Sequence, residues 1–418
     1  KLKLDVIVTD HHAVAETMPP AVAVINPHRP DSQYPFGDLA GCGVAFKLVQ
    51  ALQTKLDGLP DGHEKWLLDL VALGTVCDIV PLLGENRNNV FWGIEVLKKT
   101  RRLGLRALMA VAKVKPSELS ARQIGFGLGP RLNAAGRLET AKYALELLTT
   151  DDSKTALKLA QKLDKLNYER RQEQDRIFQE ACDVIAQSSL GSPRSAGGDS
   201  VIVVANKSWN EGVVGIVASK LVEKYGRPAF VLSVGDELVK GSGRSFGDFD
   251  MSAAIKATAE HLIKGGGHAA AGGVSLKPEN IDRWRAALNQ FYKSLALKNQ
   301  EKFLLADEDV ATSKLDAMDV ELVGELAQLE PHGMANERPV FRLNGLRAKF
   351  VDRIGKDKNH LKLTVSDGDN NLKFLAFDAP DEWFVDAGEK VTIWVNLEIN
   401  EWQGNQTVEG RILRLELT

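Results

Sequence analysis

The sequence predicts a multidomain α/β protein that ends in a β-barrel, and three observations lead to this fold class. A chain of 418 residues is long enough for about two to four domains of ordinary size. Short β-rich runs alternate with helical patterns over residues 1–95 and again over 201–298, which is typical of α/β units. From residue 303 onward, short strand-like runs separated by turn residues indicate a sandwich or a small barrel.

Composition excludes several classes of protein. Apolar residues make up 44% of the chain and charged residues 26%, as in globular proteins and unlike disordered, collagen-like or coiled-coil chains. The three cysteines are far apart and form no CxxC pair, which argues against a disulfide framework or a cysteine-based zinc site and fits the cytoplasm. The longest apolar stretch, 67–83, contains two aspartates and is shorter than the ~20 residues of a membrane helix, so no membrane span is expected.

The first part of the chain is expected to hold a parallel sheet. Runs 6–9 and 21–26 are rich in β-forming residues, while 43–56 and 66–74 have helical apolar spacing. The chain starts at Lys1 within an expected buried strand, and a buried parallel strand needs neighbours. We therefore expect that an N-terminal part of this domain is missing.

Helices dominate the middle of the chain. Residues 101–150 have helical patterns and complete a first domain of residues 1–150. A long charged segment, 151–187, has apolar residues three and four positions apart and is expected to be a connecting helix.

Two further domains are expected after this helix. A Gly/Ser/Pro-rich linker, 188–200, opens a second α/β domain of residues 188–298. The last domain, 303–418, segregates its charge: residues 301–340 hold ten acids against three bases, and 342–373 hold eight bases against four acids. The net charge of the chain is −3, so any affinity for nucleic acid must come from a local patch of this kind.

An Asp-His-His tripeptide directly follows the first expected strand. Ligands gather at the carboxyl ends of strands in α/β sheets, and the side chains of Asp10, His11 and His12 suit Mn²⁺, Fe²⁺ or Zn²⁺. Adjacent side chains alternate in direction, so one histidine would bind an ion while another group orients it or contacts substrate. Taken by itself, such a tripeptide is more often a polar strand end that faces solvent than a metal site.

Asp78 lies inside the strongly apolar run ALGTVCDIVPL. A buried carboxylate is costly unless it is paired or bound to a metal. A metal ligand, a helix N-cap and the partner in a buried ion pair all remain open for this residue.

Three segments have the composition of phosphate-binding sites. The run GPRLNAAGR contains two arginines, whose planar fork matches phosphate oxygens. The loops KGSGRS and KGGGHAAAGG are rich in glycine, which lets backbone N–H groups reach an anion. Glycine-punctuated tight turns are the alternative for all three.

These motifs together resemble the RecJ family of single-stranded-DNA exonucleases, within the DHH phosphoesterase superfamily. The matching strings, in order along the chain, are VTDHH, INPHRP, LAGCGVAFKL, LLDLVALGTVCDIVPL, GFGLGPRLNAAGR, GVVGIVASKL, KGSGRS and GGGHAAAGG. The resemblance covers essentially the whole chain, and the pair GPRLNAAGR and GGGHAAAGG is highly specific.

The resemblance implies an architecture and an activity. Residues 1–150 resemble the C-terminal part of a DHH catalytic domain, 188–298 a DHH-associated substrate-binding domain joined by the helix 151–187, and 303–418 an OB-fold. The implied activity is metal-dependent 5′-to-3′ hydrolysis of single-stranded DNA in recombination and repair. The implied protein is a cytoplasmic monomer that contacts single-strand-binding protein and no membrane.

The resemblance also implies roles for individual residues. The family holds two divalent ions, Mn²⁺ or Mg²⁺, between aspartates and a histidine, and the matching ligands are His11 and Asp78. Asp10 and His12 complete the implied catalytic set as orienting or substrate-contacting groups. The residues implied to bind substrate are Arg131, Asn133 and Arg137 along the cleft, Ser242 and Arg244 at the 5′ phosphate, and Gly265, Gly266, Gly267 and His268 against the DNA backbone.

Two departures from the family pattern limit this interpretation. The aspartates that the family places upstream of the DHH motif have no counterpart, so we expect this chain alone to be a poor catalyst. In PHGMANERPVF, Ala335 and Glu337 replace the usual glycine and proline of a turn. Two alternative functions stay open: a phosphoesterase for short oligonucleotides, and a non-catalytic nucleic-acid-binding fragment.

Overall fold

The structure is a computed structural model, and it describes residues 4–14, 17–56, 60–187, 199–297, 304–310 and 312–418. The linker expected at 188–200 lies outside the described residues except for its last two positions. The chain divides into two compact units. The first contains residues 1–100, 116–125 and 303–418, and the second contains 101–115 and 126–302.

The N-terminal part of the first unit is a small α/β layer. Strands β1 (Ile7–Thr9) and β2 (Ala23–Ile25) pair in parallel. Helix α2 (Leu68–Asp78) packs between α1 (Gly41–Gln53) and α3 (Gly84–Lys98). Because α2 is apolar on most of its circumference, it can be covered from both sides.

The first strand is exposed within the described residues, which lack the neighbours that its burial would need. Val6 and Ile7 are exposed, as is Val22 before β2. In the described part of the chain β1 pairs only with β2, and a two-stranded parallel sheet cannot cover both of its faces.

The other described part of the first unit is a closed barrel. Strands β9, β10, β11, β13 and β12 follow one another around the barrel, and β12 and β10 both pair with β9 to close it. Leucine, isoleucine and valine side chains alternate into one core, and bulges at 364–365 and 394–395 help the strands to curve. This confirms the predicted barrel. Its elements are β8 (Glu308–Val310), α11 (Val320–Leu326), β9 (Phe341–Ile354), β10 (His360–Ser366), β11 (Asn371–Ala376), β12 (Lys390–Trp402) and β13 (Asn405–Leu417).

Helices open the second unit. One π-helical turn (Gln123–Leu128) leads into α5 (Gly129–Leu138), and α4 (Leu103–Ala112), α5 and α6 (Lys142–Thr149) all pack against α7 (Ser153–Gln187). These contacts explain why most of residues 101–150 group with the connecting helix, whereas the sequence places a domain boundary at residue 150.

A five-stranded sheet with helices on both faces forms the rest of the second unit. The strand order is β3-β4-β5-β7-β6, and only the β3–β4 pair is parallel. The elements are β3 (Ile202–Asn206), α8 (Val214–Tyr225), β4 (Ala229–Val234), β5 (Val239–Arg244), α9 (Met251–Ala257), β6 (Lys264–Gly267), β7 (Ala271–Leu276) and α10 (Ile281–Ser294).

Short 3-10 turns elsewhere in the chain cover His63–Leu67, Pro116–Glu118, Ala259–His261, Pro278–Asn280, Thr312–Ala317, Ala327–Leu329 and Asp381–Trp383. Within the described residues, no helix combines the length and apolar character needed to cross a membrane.

Candidate metal centre and phosphate-binding cavity

His11 and Asp78 meet at the carboxyl end of β1. The His11 Nε2 atom lies 3.2 Å from Asp78 Oδ2, and the two side chains are 17% and 42% exposed. The backbone N–H of Asp10 donates to Ile25 O at 3.0 Å, so the strand pair fixes the start of the tripeptide. A Cβ at Gly41, the first residue of α1, would lie 3.2 Å from His11 Cδ2, so glycine leaves room for the ring.

Asp10 organises the tripeptide by hydrogen bonds. Its Oδ1 atom accepts from the backbone N–H groups of His11 and His12 at 2.8 and 3.3 Å and lies 2.7 Å from His12 Nδ1. The contact with His12 is the main cause that lowers the pKa of Asp10. The role predicted for Asp10, orientation of its neighbours, agrees with these contacts.

Asn26 is a site residue that the sequence did not single out. It is buried, its Nδ2 atom donates to His12 O at 2.9 Å, and its Oδ1 atom accepts from the backbone N–H of His28 at 2.9 Å. The signal was present, because Asn26 follows β2 as Asp10 follows β1, at the same edge of a parallel pair.

The sequence predicts that Asp78 is buried among apolar side chains, but the structure shows it partly exposed. The reason is that Asp78 is the last residue of α2. The next residue, Ile79, has φ of 60°, a left-handed conformation that is costly for a β-branched side chain. Burial raises the pKa of the neighbouring Cys42 thiol and raises that of Cys77 to about 11.

The His11–Asp78 pair fits two ligands of one divalent ion. Two ligand atoms about 2.1 Å from an ion and at right angles to each other would be about 3 Å apart, close to the observed separation of 3.2 Å. The described residues contain no group of three or more His, Cys, Asp or Glu side chains placed to hold an ion. A complete coordination shell would need further ligands.

The second unit contains a cavity of about 630 Å³ beside the end of β5. Backbone atoms of glycines form much of its wall, including Gly212, Gly265 and Gly266. A Cβ at Gly266 would meet no atom within 4 Å, so its backbone is open to a ligand. The polar side chains that line the cavity are Arg137, Glu211, Lys240, Ser242, Lys264 and Ser275.

Arg244 lies beside Ser242, one of the residues that line the cavity. A Cβ at Gly215 would be 3.2 Å from Arg244 Nη2 and 3.3 Å from Ser242 Oγ, so a residue without a side chain lets both approach α8. Arg244 Nη1 donates to Gly243 O at 2.8 Å, and Arg137 Nη1 donates to Gly212 O at 3.1 Å.

The two arginines lack a carboxylate partner in the described part of the chain. Desolvation lowers the pKa of Arg137, and desolvation together with the charge of Arg137 lowers the pKa of Arg244. Neighbouring guanidinium groups bonded to carbonyls alone are stabilised when an anion joins them. The cavity therefore has the chemistry of a phosphate site.

Other predicted substrate residues lie outside this cavity. Arg131 Nε donates to Asp164 Oδ1 at 2.8 Å and its Nη1 donates to Gly127 O at 2.6 Å, so a carboxylate neutralises its charge within the unit. The role predicted for Arg131 along the cleft stays a prediction. The described residues that line the cavity do not include Asn133, Gly267 or His268. The backbone N–H of His268 donates to Ala271 O instead.

The barrel presents aromatic side chains next to basic ones. Arg342 and Arg414 lie 5.2 and 5.4 Å from the centroid of the Trp394 ring, which is itself buried. Phe350 and Phe377 are 58% and 51% exposed. Unpaired bases stack on exposed aromatic rings. These two phenylalanines, which the sequence analysis did not single out, are therefore better candidates for base stacking than the buried Trp394.

Comparison with known proteins finds the same three parts. Family models match residues 1–75 (DHH family, N-terminal domain), 198–294 (DHHA1 domain) and 311–413 (RecJ OB domain). The single-stranded-DNA-specific exonuclease RecJ of Bacillus subtilis is 37% identical over 97% of this chain and 50% of the relative. The protein of the same name from Salmonella typhimurium is 35% identical over 98% of this chain and 72% of the relative. The chain belongs to the RecJ family.

Solved RecJ structures have the same fold. RecJ from Thermus thermophilus in complex with Mn²⁺ matches with a TM-score of 0.83 at 29% identity, over 99% of this RecJ-family chain and 58% of that one. Its complex with Mg²⁺ matches with a TM-score of 0.80 at 28% identity, over 98% and 59%. These matches confirm the predicted family and fold class, and the bound ions agree with the predicted cofactors. The chain spans half the length of the Bacillus relative.

Proposed function

We propose that this chain supplies metal-binding, phosphate-binding and strand-binding parts of a single-stranded-DNA-specific exonuclease that acts 5′-to-3′ in DNA recombination and repair. The observation that carries the proposal is the approach of His11 Nε2 to Asp78 Oδ2 at 3.2 Å. Two metal-ligand types from distant parts of the sequence converge there at a strand end. The names of the Bacillus and Salmonella relatives support the choice of substrate.

His11 and Asp78 would hold a divalent ion, Mn²⁺ or Mg²⁺, which when bound activates water and stabilises negative charge on a phosphate. Asp10 keeps the two histidines in place through their backbone N–H groups. Its contact with His12 Nδ1 leaves the Nε2 atom of that exposed ring available to hold or release a proton.

The 5′ phosphate of the strand would bind in the second unit. Ser242 donates a hydroxyl hydrogen bond, while Arg137 and Arg244 supply charge-assisted hydrogen bonds. The open backbone at Gly266 admits phosphate oxygens close to the chain. Phe350 and Phe377 of the barrel would stack on bases further along the strand.

A nuclease assay tests this function. The chain is incubated with Mn²⁺ and a 5′-phosphorylated single strand, and released mononucleotides are measured against time. We expect slow release, because the described residues supply an incomplete ligand set. His11→Ala and Asp78→Asn should abolish it, and His28→Ala, which changes an exposed histidine near the same strand ends, should retain it. Equal or greater release from a dinucleotide than from a long strand would favour the short-oligonucleotide phosphoesterase.

Binding without cleavage is the second candidate function. It is favoured by the incomplete ligand set among the described residues. A chain that binds single strands but releases no nucleotide in Mn²⁺ would support it. From the family resemblance we further propose a cytoplasmic monomer that contacts single-strand-binding protein. Light scattering tests the monomeric state, and a binding assay with purified single-strand-binding protein tests the contact.

A further inference from the structure

Helix α7 carries an arginine, Arg170, that two amide side chains hold in one orientation. Asn167, Arg170 and Gln174 lie on one face of α7, at spacings of three and four residues. Arg170 Nη2 donates to Asn167 Oδ1 at 2.9 Å, and Arg170 Nη1 donates to Gln174 Oε1 at 2.8 Å. Both amide residues are buried, so they fix the guanidinium in one orientation.

Arg170 lies where α7 passes from one packing partner to the next. Before it, Asp164 pairs with Arg131 of α5, and after it, Asp175 pairs with Lys220 of α8 at 2.8 Å. The end of α5 meets the loop before α8, since Arg137 bonds Gly212. Arg170 therefore projects from the stretch of α7 that lies between these two contacts.

The charge of Arg170 is not neutralised by an ion pair in the described part of the chain. Its hydrogen bonds go to two neutral amides, and the nearby Asp175 is held by Lys220. A guanidinium has five N–H donors, so two are used and three remain, of which the Nε–H is buried without a partner among the described residues. Desolvation, and then the charges of Arg171 and Arg137, lower the pKa of Arg170.

Another arginine of α7, Arg176, has a structural role and provides a comparison. Arg176, less than two turns further along the helix, is bound to Glu173 at 2.7 Å and to Glu180 at 2.6 Å. Its charge is satisfied within the protein. Arg170 is oriented by neutral groups instead, an arrangement that holds a cation in place without cancelling its charge.

We propose that Arg170 binds a second phosphate of the strand, next to the one held by Ser242 and Arg244, so that α7 is part of the nucleic-acid site as well as a connector. The proposal rests on the function proposed above. It assigns Arg170 to substrate binding and makes Asn167 and Gln174 positioning residues that act through it.

Equilibrium binding of a 5′-phosphorylated oligothymidylate tests the proposal. Fluorescence anisotropy is measured on the whole chain with EDTA present, over a range of salt concentrations. For Arg170→Met we expect Kd to rise about tenfold and the slope of log K against log salt to fall by about 0.7, the value for loss of one phosphate contact on a single strand. Arg170→Lys should recover part of the affinity. Arg176→Met, which removes the same charge from the same helix, should leave Kd within about twofold of the original.

The outcomes separate the possible failures. If Arg170→Met changes Kd no more than Arg176→Met, or weakens binding without changing the salt slope, Arg170 has no phosphate contact and the inference is wrong. Thermal unfolding of both variants shows whether the chain still folds, and Arg170→Lys provides the folded test if Arg170→Met does not. If the unchanged chain binds no strand, or Arg244→Ala binds as well as the original, the proposed function itself fails and the inference with it.

Discussion

Ala335 occupies a backbone conformation that favours glycine, and replacing it with glycine should stabilise the barrel. Its φ is 60°, in the left-handed region, and its side chain is exposed. The left-handed conformation costs a residue with a Cβ about 1–2 kcal/mol. Glycine returns about 0.4–1 kcal/mol of that gain because it makes the unfolded chain more flexible. The midpoints of these two ranges differ by about 0.8 kcal/mol, which is the stabilisation that we expect for Ala335→Gly.

A second alanine provides the matched control. Ala327 is also exposed and belongs to the same domain, but it has φ of −62° and ψ of −19°, where glycine offers no relief. Ala327→Gly should therefore destabilise by about 0.4–1 kcal/mol. Subtracting the two effects cancels the unfolded-state contribution and isolates the strain at Ala335, expected at about 1–2 kcal/mol.

Hydrogen exchange over a series of urea concentrations measures both variants. Peptides from β9 and β12 report the opening free energy of the barrel itself, whatever the rest of the chain does. Equal destabilisation by the two substitutions would refute the argument from φ.

Four further predictions follow from single contacts. Asp78→Asn should weaken binding of Mn²⁺ to the chain at least tenfold in calorimetry, because a neutral amide replaces a charged oxygen ligand; unchanged binding would exclude Asp78 as a ligand. Arg244→Ala should reduce the preference for 5′-phosphorylated over 5′-hydroxyl strands about tenfold in a competition assay, and an unaltered preference would move the phosphate site elsewhere. Arg87→Met should destabilise the first unit by about 1–3 kcal/mol in urea, because Arg87 Nη2 donates to the carbonyls of Gln328 and Glu330 at 3.0 and 2.9 Å. The pKa of Asp10 is lower in the folded chain than in the unfolded chain, so the folded chain binds fewer protons below pH ~4. The stability that Asp10 contributes is therefore present above that pH and is lost as the pH falls through the lowered pKa. The variant Asp10→Asn should lose stability less steeply on acidification.

The contact of Arg87 joins the candidate metal centre to the barrel. Leu82, four residues after Asp78, donates its backbone N–H to Met334 O at 2.7 Å. Gly333 lies so close to the buried Leu82 side chain that a Cβ there would be 2.6 Å from it. The turn that contains Ala335 therefore supports the segment that follows Asp78, although the two are far apart in the sequence.

Motifs and periodicity were sufficient to predict the family, the order of the domains and the barrel. These properties depend on neighbours along the chain: alternation in the barrel strands, glycines at β6, and a polar tripeptide after β1. Such features are visible in sequence because each depends on the conformation of a few consecutive residues. The family resemblance drew attention to Ala335, whose left-handed φ of 60° only the structure shows.

The tertiary structure alone decided how charges are paired. It shows that Asp78 lies at a helix end against His11, that Arg131 is bound to Asp164, and that Arg170 is held by neutral amides near Arg137. The sequence assigns all these arginines the same fork and the same charge. Whether a guanidinium meets a carboxylate, a carbonyl or an open cavity depends on the packing of helices that are distant in sequence, and that packing determines which of them is free to bind a phosphate.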